Sequence, residues 1–271
     1  MTIALGTFTL GLYVISLALY GWLLYSNHRG IGVAATASLA AALAAHYFAL
    51  HQRAVEVNAV PYQDLYGSMS LFAWLLAATY LGLEAWHRQR SVGPFVLPFV
   101  IVCLLGVTWL EPATVTRTPD ARGPLFALHV TLNVLAYAGF AIAFVLSAIY
   151  LLQNRLLRGH HLGAMFWRFP ALEVLERMSR SSVMVGVAAL VVGIAFGAVW
   201  SKRLNGSYVT GDAKEIVSLV ILGCYVAYIV LARRTRWRGA RAAVLCIVSF
   251  GLVVFSYTVV NLYLSGYHRY F

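Results

Sequence analysis

The sequence predicts an all-α integral membrane protein, a bundle of about eight transmembrane helices with the N- and C-termini on the outer, extracytoplasmic face. Three observations carry that expectation. Of 271 residues, 61% are hydrophobic and 11% charged, with a mean hydropathy of +0.78, whereas a soluble domain holds about 45–50% apolar and about 25% charged residues. Apolar runs long enough to cross a hydrocarbon core, roughly 17–25 residues each, fill most of the length. The Lys and Arg residues concentrate in alternate connections between those runs. No stretch is left for a separate soluble domain, so residues 1–271 read as a single polytopic membrane domain.

The first run, 4–25, has no basic residue before it and no small-residue cleavage site, which predicts a retained helix and not a signal peptide. Runs 31–51 and 65–86 follow, then 93–110, which contains Pro94 and Pro98, and 124–152, which carries His129 near its start. The last three are 182–200, 215–232 and 242–264. In lipid each must satisfy its backbone polar groups internally, so each is expected to be a helix, and the alternation of an outer-membrane barrel is absent. Between the fifth and sixth runs, "FPALEVLERMSR" places Leu172, Leu175 and Met178 at three-residue spacing after Pro170, with Glu173, Glu176, Arg177 and Arg180 elsewhere. This pattern predicts a separate amphipathic helix lying in the membrane interface.

With the N-terminus outside, the inner connections are 26–30, 87–92, 153–181 and 233–241, which hold thirteen Arg, against seven Lys and Arg in the outer segments. The net charge of +11 therefore reads as topology, and the basic stretch "RRTRWRGAR" as an anchor against anionic lipid, not a nucleic-acid patch. The same orientation puts 52–64, 111–123, 201–214 and the tail from Ser265 together on the outer face. Glu111, Arg117, Asp120 and Arg122 read as a solvated connection. The expected location is the bacterial inner membrane.

Cys103, Cys224 and Cys246 all lie in apolar runs without metal-ligand spacing, so they read as small buried residues. No Gly-rich phosphate loop, H-E-x-x-H pair or nucleophile elbow occurs. Histidines are more informative. His28, His87, His160 and His161 fall at inner connections, whereas His46, His51, His129 and His268 fall in or near the outer half. An ionisable residue within a span points to a site, although a single histidine also suits a hydrogen-bonded core position.

The blocks "PYQDLYGSMSLFAW", "LHVTLNVLAYAGFAIAFVLSAIYLL", "FPALEVLERMSR", "GIAFGAVW", "GSYVTGDAKEIVSL", "RWRGARAA" and "VNLYLSGYHRYF" occur in an order that resembles the cytochrome c assembly proteins of the CcsA and CcmC type, and most nearly the CcsA branch, over about residues 61–271. The resemblance implies that His129 and His268 are external axial ligands of haem, the latter within Gly266-x-His268-x-Tyr270. It implies handling of haem b, a meeting with apocytochrome c on the outer face, and a CcsB-type membrane partner. Between its two histidines the family places a loop, W-G-x-Y-W-x-W-D-P-K-E, as a platform for haem. Here Gly206, Tyr208, Asp212, Lys214 and Glu215 match that pattern, while Asn205, Val209 and Gly211 stand at its tryptophans and Ala213 at its proline.

Each tryptophan buries about 150–250 Å². At roughly 25 cal/mol per Å² the three removed indoles represent several kcal/mol of contact. Leu231 likewise stands where the CcsA branch carries an inner histidine, which leaves His46 as a candidate inner ligand. Lys214 and the adjoining helix start are candidates to meet a haem propionate, with Tyr208 to stack or donate a hydrogen bond. Asp212 is a further candidate haem contact, although it and Glu215 read first as a helix cap with local ion pairing. Two functions follow from the resemblance. One is a haem-presenting component of a cytochrome c haem lyase or synthase. The other is a non-catalytic relative, a HemX-like regulator of haem synthesis or a structural subunit of a respiratory complex.

Overall fold

The computed structural model describes residues 2–26, 28–57, 60, 64–108, 123–160 and 168–264. Its elements are α1 (Thr2–Ser26), α2 (Arg29–Val57), α3 (Leu65–His87), α4 (Gly93–Thr108), α5 (Pro124–Arg158), α6 (Leu172–Asn205), α7 (Ala213–Leu231) and α8 (Ala240–Phe255). The last continues as a π-helix, Ser256–Leu264. No strand occurs among the described residues. Seven of these helices are long and apolar enough to cross a membrane, and the eighth, α4, is a shorter apolar helix. Large apolar side chains such as Trp22, Val102, Val220 and Val248 lie exposed on the helices, as lipid-facing residues do. The protein is a multi-pass membrane protein built as a helical bundle.

The chain forms two compact units, residues 1–115 with 152–178, and residues 116–151 with 179–271. In the first, α1 and α2 form a hairpin crossed by side-chain bonds to main chain, Ser16 Oγ donating to the Ala35 carbonyl at 3.2 Å and Ser38 Oγ to the Leu12 carbonyl at 3.3 Å. Asp64 caps α3 by accepting from the Gly67 amide at 2.9 Å, which satisfies one of the helix's open donors. Asp64 also holds the buried Arg53, whose guanidinium lies 4.5 Å from the Tyr66 ring centre. Where α3 ends, Arg88 adopts a left-handed φ of 54°.

Beside that end is the most buried acid among the unit's described residues. Glu84 accepts from the hydroxyls of Tyr20 in α1 and Thr36 in α2, and Arg90 from the following turn lies 3.4 Å from its Oε1. One carboxylate thus ties three helices and a turn, with its charge matched and its lone pairs occupied.

The segment "FPALEVLERMSR" departs from expectation. Residues 172–180 are not a separate interfacial helix but the first turns of α6, which runs unbroken for 34 residues. Leu175 and Met178 are fully buried within the first unit. The amphipathic stripe therefore faces protein and not a lipid interface.

In the second unit α5 and α6 pack antiparallel along a seam of small residues. Ser182 Oγ donates to the Gly139 carbonyl at 2.7 Å, and a Cβ on Gly139 would meet the Ser182 carbonyl at 3.0 Å. A Cβ on Gly186 would come within 2.5 Å of the Phe140 ring and 3.0 Å of the Ala136 carbonyl. Such seams let backbones approach where no hydrophobic effect drives helices together. Phe140 in turn stacks on Tyr225 of α7, ring centres 3.6 Å apart and planes 3° from parallel. Gly186→Ala is expected to lower stability by about 1–3 kcal/mol, the cost of overpacking a tight contact, read as a lower melting temperature in detergent.

Candidate functional site

Near the start of α5 the seam opens into a cavity of about 320 Å³ lined by α5, α6, the α6–α7 connection, the first turns of α7 and Tyr257 of the π-helix. This falls in the size range of ligand sites, about 300–1,000 Å³. Its wall is mostly apolar and aromatic, with Tyr137, Trp200, Tyr208 and Tyr257, and its polar groups include His129, Asn133, Lys214 and Glu215.

His129 is the best-defined of these. Its Nδ1 lies 2.8 Å from the carbonyl oxygen of Gly193. A carbonyl can only accept, so Nδ1 carries the hydrogen and the lone pair resides on Nε2. Asn133 donates through Nδ2 to the His129 carbonyl at 2.7 Å and stands 3.1 Å from Nδ1. Trp200 lies nearly parallel to the imidazole, 17° between planes with centres 6.4 Å apart, and packs on Phe126 at 5.1 Å.

The connection "NGSYVTGDAKE" is ordered by its own bonds. Asp212 is the N-cap of α7 and accepts from the Lys214 amide at 2.8 Å. Glu215, three residues on, reaches back to the amides of Thr210 at 3.0 Å and Gly211 at 3.1 Å and accepts from the Thr210 hydroxyl at 2.7 Å. This is a variant of the capping box in which the N3 carboxylate takes the amides of the two residues before the N-cap. Lys202 Nζ donates to the Gly206 carbonyl at 2.6 Å and sits 5.4 Å from the Tyr208 ring centre. Asp212 and Glu215 thus serve as a cap, while Lys214 sends its side chain to the cavity wall.

Of the three positions assigned to tryptophans by resemblance, Asn205 and Val209 line the cavity. Val209 is 68% exposed. Gly211 has φ +77°, a conformation that side chains disfavour. The loop is therefore shaped around glycine at one of the positions, and not simply trimmed of its indoles.

His46 lies elsewhere, in the first unit. It is almost wholly buried, with Nδ1 3.2 Å from the Tyr13 hydroxyl and Nε2 3.0 Å from the Ser70 hydroxyl. Both ring nitrogens are engaged, so a ligand at either one would have to displace a hydroxyl. His268, His161 and residues 111–122 fall outside the described residues. Sequence reasoning did not single out Asn133, Gly193, Gly197 or Trp200. The glycines at i and i+4 of one α6 face were a readable signal of close approach, but nothing in them specified an imidazole as the neighbour.

Among the described residues no three His, Cys, Asp or Glu side chains gather to hold a metal ion. One imidazole with its lone pair on Nε2, set in a largely apolar and aromatic wall, is instead a donor set suited to a flat, axially ligated group.

Comparison with known proteins gives one consistent answer. The chain is 27% identical to the cytochrome c biogenesis protein CcsA of Gloeobacter violaceus, covering 82% of this chain and 81% of that one. It is 27% identical to the CcsA protein of Synechococcus elongatus over 91% of this chain and 90% of the relative. It is also 26% identical to protein HemX of Brevibacillus brevis, covering 76% of each chain. Residues 62–268 match the cytochrome C assembly protein family, which takes in α3 to α8 and the whole cavity: the chain is a member of the cytochrome c assembly protein family.

Proposed function

We propose that this protein handles haem b in the biogenesis of c-type cytochromes, binding it in the α5–α6 cavity with His129 and His268 as axial ligands and presenting it to apocytochrome c. The observation that carries this reading is the His129 imidazole, tethered through Nδ1 and set in the cavity wall with its lone pair on Nε2. Haem, when bound, supplies the vinyl groups to which a cytochrome's thiols become attached. The chain's own residues bind and orient. His129 and His268 would fix the iron, Trp200 and Tyr208 would offer aromatic surface, and Lys214 at the α7 N-terminus would meet a propionate, with the helix dipole favouring negative charge there.

On the same reading the protein resides in a bacterial inner membrane as a single polytopic domain, with both termini and the cavity mouth on the outer face. The thirteen Arg of the inner connections support that orientation. With valine and asparagine in place of indoles, the loop gives haem little flat surface, which favours dependence on a CcsB-type partner for the complete site and for any lyase activity.

A second reading has specific support: a non-catalytic, HemX-like regulator of haem synthesis, favoured by the missing tryptophans and by the similarity to protein HemX. Two measurements separate these readings. Protein purified in detergent from haem-replete cells is expected to show the reduced and oxidised spectra of a six-coordinate b-type haem, and deletion of the gene to abolish c-type cytochromes. A haem-free preparation, together with intact c-type cytochromes and altered haem-precursor levels in the deletion strain, would select the regulator.

A further inference from the structure

We infer that Gly197, with Gly193, is a positioning residue of the cavity: the α6 backbone holds the His129 imidazole in one orientation and one tautomer, so that Nε2 is the atom it offers to an incoming ligand. The inference rests on the proposed haem reading only for what Nε2 meets. The orientation itself is a property of the chain.

The ring is defined from several sides. Gly193 supplies the carbonyl that takes the Nδ1 hydrogen at 2.8 Å. Gly197 supplies the floor, since a Cβ there would lie 2.4 Å from Nδ1 and 2.5 Å from Cε1. The imidazole therefore occupies the space that any side chain at position 197 would take. Asn133, one turn after His129 in α5, closes another side, bonded to the His129 carbonyl at 2.7 Å, and a Cβ on Gly193 would press on its Nδ2 at 2.9 Å. Trp200, one turn along from Gly197, lies near-parallel to the ring.

The glycines of the seam thus divide by what they face. A methyl group at position 139 or 186 meets main chain or the Phe140 ring, so adding one strains the approach of the two helices. At position 197 the nearest atoms belong to a side chain that can turn about its own torsions. A methyl there displaces the imidazole and leaves the helices where they are. Loss of such a supporting contact to a ligating histidine typically costs about 10–100-fold in affinity for what it binds.

The test uses the full chain, haem-free in detergent, with ¹⁵N-labelled histidine side chains and His129→Gln to assign the signal. Ring-nitrogen chemical shifts in the wild type are expected to show a single tautomer protonated at Nδ1. Gly197→Ala is expected to lose that single state while melting closer to the wild type than Gly186→Ala does. Gly186→Ala is expected to keep the tautomer and melt lower. A wild-type ring protonated at Nε2 would overturn the inference, and so would a Gly197→Ala spectrum identical to the wild type. The wild-type measurement decides even if the variant fails to fold. Because no haem is present, the outcome is independent of whether the protein carries haem in cells. In haem-loaded protein, Gly197→Ala is expected to weaken retention by about tenfold or more.

Discussion

His129→Ala is expected to strip haem from the purified protein, lowering its occupancy at least tenfold against the wild type, with the Soret band and the pyridine haemochrome assay as readouts. His129 is the one histidine among the described residues that line the cavity, and on the proposed reading its loss leaves the iron only the ligand from His268. The fold should tolerate the change. What is lost within the chain is chiefly the bond to the Gly193 carbonyl, worth about 1 kcal/mol net, and the α5–α6 seam at Gly139 and Gly186 is untouched. His46→Ala is the informative control, because that side chain bonds Tyr13 and Ser70 across α1, α2 and α3 in the first unit. Its removal should lower the melting temperature and leave haem in place. Full occupancy in His129→Ala, or loss of haem only with His46→Ala, would overturn the assignment of the cavity.

The largest effect on stability is expected at Glu84. Removing one partner of a buried, hydrogen-bonded ion pair typically costs about 3–5 kcal/mol. Arg90 is about one-third exposed, which tempers that figure, since water can solvate the guanidinium left behind. The buried Tyr20 hydroxyl would lose this acceptor, while Thr36 would keep its bond to the Gly32 carbonyl and the one it accepts from Arg90 Nε, both at 3.0 Å. Glu84→Ala should therefore destabilise the first unit by about 3 kcal/mol. Glu84→Gln, which keeps the shape and one acceptor oxygen, should cost measurably less. Denaturant or thermal unfolding in detergent would order the three proteins. Equal stability of Glu84→Ala and the wild type would show that the carboxylate does not tie these helices.

Much of this architecture was legible because lipid imposes one local rule. A spanning segment must be apolar and helical, and the eight runs duly became eight helices. The interfacial helix was misread for an equally physical reason. The spacing of Leu172, Leu175 and Met178 reports that one face is dry, but not whether protein or lipid dries it. The Asp212–Glu215 cap could be read directly, since its residue types and three-residue spacing are the mechanism itself. His129 stood out as an ionisable group near the end of a span. Its setting did not, because the acceptor is a main-chain oxygen brought from 64 residues away and the floor is the absence of a side chain. The loop was legible as a sequence without tryptophans. Its left-handed turn at Gly211 shows in addition that Val209→Trp could restore aromatic surface at an exposed position, whereas Gly211→Trp would have to rebuild the backbone.

The Gly193 carbonyl has a consequence for how such a site withstands mutational drift. A side-chain anchor disappears with a single codon change. A peptide oxygen is written into every residue, so no substitution at position 193 can delete the acceptor itself. Selection on the histidine's tether then acts on bulk alone, at two sites four residues apart. An aromatic platform can be lost side chain by side chain, while the peptide oxygen that holds the imidazole stays.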